Sequence, residues 1–137
     1  MEIPKNVKTI ELGSSILWFD EDGVLYSIPK PGAIRVSTKE ETLKQMNELR
    51  KITGGEKKCM ILQTDSSAPP PKKEDRDWIA KELESVMKAM AMISTSPLSR
   101  MVANLFFGFK PPSYPVKFFS NEKDAKQWIN QYVGKEK

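Results

Sequence analysis

Short apolar runs alternate with stretches of helical periodicity along most of the chain. Residues 59–62, 89–93 and 116–119 are runs of strand length, and each is followed by a segment typical of a helix. Parallel strands need crossover connections of this kind. Residues 86–93 also suit a helix by their Ala and Met content, but their density of apolar residues favours a strand. The pattern predicts a sheet whose later strands are parallel, with 59–62 buried on both faces.

The first thirty residues have the signature of an antiparallel meander. Three extended segments, residues 8–12, 16–19 and 24–28, precede the first helical pattern. Asp20-Glu21-Asp22-Gly23 between the last two is a turn signal, because Gly23 can adopt positive φ at no steric cost. Pro29 and Pro31 then end the sheet segment, since proline cannot donate to a strand ladder.

Four helices are predicted between and after the strands. The first begins near Thr38, which has capping-box spacing to Glu41, and ends at Gly54-Gly55. The second covers about residues 73–84, the third begins at Ser96-Pro97, and the last extends from the Asn121 cap to Gly134. In the first helix, four apolar residues recur at helical spacing and are expected to face the sheet: Leu43, Met46, Leu49 and Ile52.

Composition removes several classes of chemistry. The chain has no histidine, the commonest general base near neutral pH, and a single cysteine, Cys59. No zinc cluster of thiolates or imidazoles and no intramolecular disulfide can therefore form within it. We expect no enzyme activity, no metal and no cofactor. The chain shows no signal peptide and no apolar run near the ~20 residues of a membrane span, so we expect a cytoplasmic protein without a membrane span.

The positive net charge does not indicate a nucleic-acid binder. The charge is +4, from 22 basic and 18 acidic residues. Basic residues occur in short pairs such as Lys57-Lys58 and Lys72-Lys73, and acidic residues interrupt most of them. A nucleic-acid surface usually concentrates its basic residues in one stripe with arginine or aromatic readers. We therefore expect a solvated surface of mixed charge and no nucleic-acid partner.

Several motifs in the second half resemble the SpoIIAA-like family, small and mostly bacterial proteins of STAS fold that are related in shape to CRAL-TRIO lipid-carrier domains. The motifs are Ser94-Thr95-Ser96-Pro97-Leu98-Ser99-Arg100-Met101, Asn104-Leu105-Phe106, Pro111-Pro112 and residues 115–129. The resemblance implies an α/β fold: a STAS/SpoIIAA-like mixed sheet with an N-terminal antiparallel hairpin and about four helices. We expect one domain over residues 1–137, with 134–137 as a disordered tail.

A second similarity concerns Asp65-Ser66-Ser67. In anti-sigma-factor antagonists of STAS fold, an Asp-Ser-Ser/Thr-Gly motif after a strand is phosphorylated by a partner kinase. The resemblance makes Ser66 and Ser67 candidate phosphorylation sites, where an added phosphate repels a docked partner. The chain departs from the motif at Ala68 and at the three prolines that follow it. A solvated turn rich in Asp and Ser is the alternative interpretation.

The start of the third predicted helix is a candidate contact for an anionic small molecule or an acidic patch on a partner. Free amides and the helix dipole attract negative charge there. The candidate residues are Ser96, Ser99, Arg100, Asn104 and Lys110. In the alternative, Ser96 caps the helix, Arg100 pairs with a neighbouring carboxylate and Asn104 faces water.

Aromatic residues are concentrated around Pro111-Pro112, where Phe107 or Phe109 is expected to be exposed beside Lys110 and Lys117. Tyr114 belongs to the same region. Such residues suit a dimer contact, a partner site or the mouth of an apolar pocket. Packing within the domain is the alternative.

These features favour a non-catalytic regulatory or protein-interaction module of STAS-like fold, which binds a protein partner or a second copy of itself. The alternative is a carrier or sensor of a small apolar or anionic ligand in a CRAL-TRIO-like pocket. An enzyme would need a Ser-Lys pair or a carboxylate pair, and the sequence does not reveal one.

Overall fold

The computed structural model of the chain describes residues 3–12, 15–30, 39–63, 78, 81–94 and 114–133. The elements in these ranges are β1 (Ile10–Leu12), β2 (Ser15–Phe19), β3 (Leu25–Pro29), α1 (Lys39–Thr53), β4 (Lys58–Gln63), β5 (Met87–Ile93), β6 (Val116–Phe119) and α2 (Glu122–Ile129). Residues 78 and 81–83 are also helical. No helix in these ranges has the length and apolar character required to cross a bilayer.

The six strands form one mixed sheet in the order β1-β2-β3-β4-β5-β6. The first two pairings are antiparallel, with Trp18 opposite Tyr26. From β3 onward the pairings are parallel, and Ile61 of β4 lies between Tyr26 of β3 and Ala91 of β5. The predicted α/β class, with a mixed sheet that begins as an antiparallel hairpin, is confirmed.

The two faces of β5 differ in their side chains: one is dominated by alanines and the other by methionines. Ala89, Ala91 and Ile93 point to one side of the sheet, where they belong to the same core cluster as Trp18 and Tyr26. The methionines of β5, Met87, Met90 and Met92, point to the other side and pack with the cluster that contains Leu49 of α1. Both clusters are largely buried, so β4 and β5 are covered on both faces, as parallel strands require.

The alanine face of β5 receives α2. Ala125 and Ile129 of this helix are fully buried in the cluster that also contains Ala89 and Ala91. Alanine side chains let a helix approach a sheet closely, and a tightly packed interior leaves little space for added methylenes. The position of α2 is therefore determined mainly by the small residues beneath it.

Two details of the predicted helices are corrected. Leu43, expected to face the sheet, is 43% exposed, whereas Leu49 is buried. At about 100° per residue, Leu43 lies about 120° around the helix from Leu49, too far to share its apolar stripe. The last helix ends at Ile129 rather than at Gly134, because the N–H groups of Gln131 and Tyr132 bond to carbonyls three residues back.

The turn after α1 follows the prediction. Gly54 and Gly55 have φ values of 67° and 81°, in the left-handed region that favours glycine. The amide of Gly55 donates to the carbonyl of Arg50 at 3.2 Å. The helix thus ends in the manner that the Gly-Gly pair indicates.

The two faces of β5 should respond differently to substitution. We expect Ala91→Leu to lower the free energy of unfolding by about 1–3 kcal/mol, because the larger side chain forces α2 away from the sheet. Met92→Leu, on the opposite face, should cost less than about 1.5 kcal/mol because volume is nearly conserved. Urea denaturation followed by circular dichroism measures both variants. Equal losses for the two variants would show that the alanine face of β5 does not determine the position of α2.

Candidate functional site

Neither group of predicted site residues is described by the structure. Outside the described ranges lie Ser66, Ser67, Ser96, Ser99, Arg100, Asn104 and Lys110, together with Phe107 and Phe109. Tyr114, from the same aromatic-rich region, is described: it is 7% exposed and packs on the methionine side of the sheet. Tyr114 is therefore a core residue rather than part of an exposed aromatic site.

The turn between β2 and β3 is organised by Asp20. One carboxylate oxygen of Asp20 accepts hydrogen bonds from the backbone N–H groups of Asp22 and Val24, both at 2.9 Å. Gly23 has a φ of 80°, as the turn signal in the sequence predicts. This is the arrangement by which a short acidic side chain replaces a missing backbone partner in a turn.

The other carboxylate oxygen of Asp20 binds α2. Lys126 Nζ donates to Asp20 Oδ2 at 2.7 Å and to Asp22 Oδ2 at 3.0 Å. The side chains of Lys126 and Asp20 are 22% and 20% exposed. Burial alone would lower the pKa of Lys126, but hydrogen bonds to Asp20 and Asp22 outweigh burial and raise the pKa above 10.5. We call these three side chains the hairpin clasp.

A stacked aromatic pair lies beside the hairpin clasp. The rings of Trp18 and Tyr26 are 5.4 Å apart and nearly parallel, as suits neighbours on adjacent strands. Burial, assisted by the negative charge of Asp20, raises the pKa of Tyr26 to about 12. Both rings belong to the core cluster that α2 covers, so the clasp and the stack support the helix together.

A shallow, open groove of about 450 Å³ lies between β6 and α2. We call it the aromatic groove, and its lining residues are Lys117, Phe119, Asp124, Gln127, Trp128 and Gln131. Lys117 and Phe119 share one face of β6 because they are two residues apart in a strand. Asp124, Gln127 and Gln131 lie at spacings of three and four, which places them along one stripe of α2 and the turn after it.

Aromatic rings form the floor of the aromatic groove. The centroids of Phe119 and Trp128 are 5.6 Å apart, and their planes are tilted by 49°. Tyr132 meets Trp128 edge-on at 5.1 Å and so supports the indole from the side. The ammonium of Lys117 lies 5.6 Å from the Phe119 centroid, within cation–π range. All three rings are only half-buried, so part of their surface meets solvent.

Some polar side chains of the groove have a hydrogen-bond partner among the described residues, and others do not. Asn121 caps α2, as predicted: its side-chain oxygen accepts from the N–H of Asp124 at 2.8 Å, and its Nδ2 donates to the Asp124 carboxylate at 3.0 Å. In the described part of the chain, the side-chain amides of Gln127 and Gln131 have no hydrogen-bond partner, and Lys117 has no carboxylate partner. The groove therefore offers open hydrogen-bond donors beside an apolar floor.

The aromatic groove contains few ionisable side chains. Its ionisable side chains are Lys117 and Asp124, and the carboxylate of Asp124 is part of the helix cap. Within the described ranges, no three Cys, Asp or Glu side chains come close enough to hold a metal ion. The chemistry available at the groove is hydrogen bonding and contact with aromatic faces.

The fold defines a class of protein. A solved structure of an uncharacterised protein of the DUF3478 family from Shewanella loihica PV-4, which has a SpoIIAA-like fold, matches with a TM-score of 0.52 at 14% identity, over 90% of this chain and 91% of that one. The chain thus has a SpoIIAA-like α/β fold, as its resemblance to that family implied. It belongs to the family described as a domain of unknown function (DUF7793), whose model matches residues 17–133.

A second solved structure resembles the chain only weakly. A protein of unknown function from Arthrobacter sp. FB24 is 22% identical over 89% of this chain and 95% of that one, with a TM-score of 0.29. No curated protein matches the chain. What the chain does must therefore be argued from its own side chains.

The aromatic groove was not identified from the sequence as a site. The sequence places Phe119 in the last predicted strand and Trp128 in the last predicted helix, and it links Lys117 to the aromatics around Pro111-Pro112. One signal was present: Gln127 and Gln131 flank the buried stripe of α2. Recognising that this stripe borders Phe119 requires the packing of α2 against β6, which spacing along the chain does not give.

The hairpin clasp should contribute measurably to stability. We expect Lys126→Met to lower the free energy of unfolding by about 1.5–3 kcal/mol, because Asp20 is left half-buried without its cation. Lys123→Met, at an exposed position of the same helix, should change it by less than about 0.5 kcal/mol. Because the pKa of Lys126 is raised above 10.5, this contribution is complete at neutral pH and is lost as pH rises from about 10.5 through the raised pKa. Urea denaturation at pH 7 measures the free energy of unfolding of both variants. Equal effects of the two substitutions would contradict a stabilising role of the hairpin clasp.

Alkaline pH should unfold the protein through its buried tyrosines. The pKa values of Tyr26 and Tyr114 are both raised from 10.0 to about 12, chiefly by burial. The unfolded chain loses these protons first, so stability is complete below pH 10 and falls between pH 10 and 12 by about 1.4 kcal/mol per pH unit for each tyrosine. Urea denaturation between pH 9 and 11.5 measures this fall, which should be shallower in Tyr26→Phe. An identical slope in that variant would disprove the assignment.

Proposed function

We propose that this protein is a non-catalytic protein-interaction module that binds its partner at the aromatic groove. The observation that carries the proposal is the half-buried pair of Phe119 and Trp128 beside side-chain amides that have no partner among the described residues. Aromatic side chains with one apolar face and nearby polar groups are enriched where proteins bind each other. Exposing such a surface to water costs free energy, and a partner that covers the surface recovers that cost.

The shape of the aromatic groove favours a macromolecular partner over a small ligand. Small-molecule sites usually bury 70–90% or more of their ligand's surface. This groove is open along its length between β6 and α2, so it encloses little of any small molecule. A partner protein can cover the groove and contact its rim at the same time. The carrier or sensor alternative would need a different site in this chain.

The groove is also suited to binding because its walls are held in place. Lys126, on α2, is tied to Asp20 and Asp22 of the hairpin, and Ala125 and Ile129 are buried against the sheet. A surface that is fixed before binding loses less conformational entropy when the partner arrives. The residues that hold α2 therefore support affinity at the groove without touching the partner.

The regulatory part of the proposal rests on the sequence. Phosphorylation at Ser66 or Ser67 would add up to two negative charges to the chain between β4 and the helix that contains Trp78. An anion or acidic patch at Ser96, Ser99, Arg100, Asn104 and Lys110 is a second proposed contact. Both lie outside the described residues and stay predictions.

Selection of peptides against the purified protein tests the interaction function. A displayed library of random dodecapeptides is panned, and each enriched peptide is titrated into ¹⁵N-labelled protein. The chain has three tryptophans, so its NMR spectrum contains three indole N–H signals, and Trp128→Phe identifies that of Trp128. We expect enriched peptides to shift the Trp128 signal saturably and to leave that of the fully buried Trp18 nearly unchanged.

Matched variants show whether the groove is responsible. Gln127→Arg places a bulky side chain in the groove and should weaken binding, whereas Asn130→Arg, at the exposed C-cap of α2 and outside the groove lining, should not. A failure to enrich any peptide, or enrichment of peptides that leave Trp128 unshifted, would refute the proposal. A small molecule that copurifies with the protein in native mass spectrometry, without peptide binding, would support the carrier alternative instead.

A further inference from the structure

We draw no further inference here: the strongest candidate, the buried indole N–H of Trp18 in the core cluster that α2 covers, has no hydrogen-bond acceptor in the described ranges, and nothing in those ranges shows which ligand would accept from it.

Discussion

The close contact between α2 and the alanine face of β5 is the packing constraint on which the groove depends. Ala89 and Ala91 are fully buried and leave space for the helix to lie near the sheet, where Ala125 and Ile129 complete the cluster. A larger residue on this face would lift α2 and widen its separation from β6. The aromatic groove forms because β6 and α2 are close enough for Phe119 and Trp128 to contact each other.

The hairpin clasp adds a long-range constraint to that packing. Asp20 closes the β2–β3 turn with one carboxylate oxygen and binds Lys126 with the other, so one side chain joins elements that are 106 residues apart in sequence. Removing Asp20 would therefore loosen both the turn and the helix. Packing fixes how far α2 stands from the sheet, whereas the clasp limits how the helix can slide along it. Together, the packing and the clasp keep Trp128 of α2 next to Phe119 of β6.

Features that depend on neighbouring residues could be predicted from the sequence, and features that depend on distant residues could not. The strand Val116–Phe119, the Asn121 cap and the left-handed Gly54-Gly55 turn each follow from a few adjacent residues, and all were predicted. The Lys126–Asp20 ion pair and the contact of Trp128 with Phe119 depend on how α2 settles on the sheet. Leu43 shows the same limit within one helix, because apolar spacing alone did not reveal which stripe the sheet covers.

The rings of the aromatic groove lie at the margin of the packing between α2 and the sheet, where they contact the core and are also partly exposed. The buried residues of α2 are Ala125 and Ile129, and the partly exposed Trp128 packs against the same cluster. Trp128 and Phe119 add large rings at the margin of that face and leave part of each ring in water. A SpoIIAA-like fold at 14% identity to its structural neighbour fixes the backbone rather than these side chains. Because the exposed parts of these rings cost free energy to leave in water, the groove is the described surface at which we propose that a partner binds.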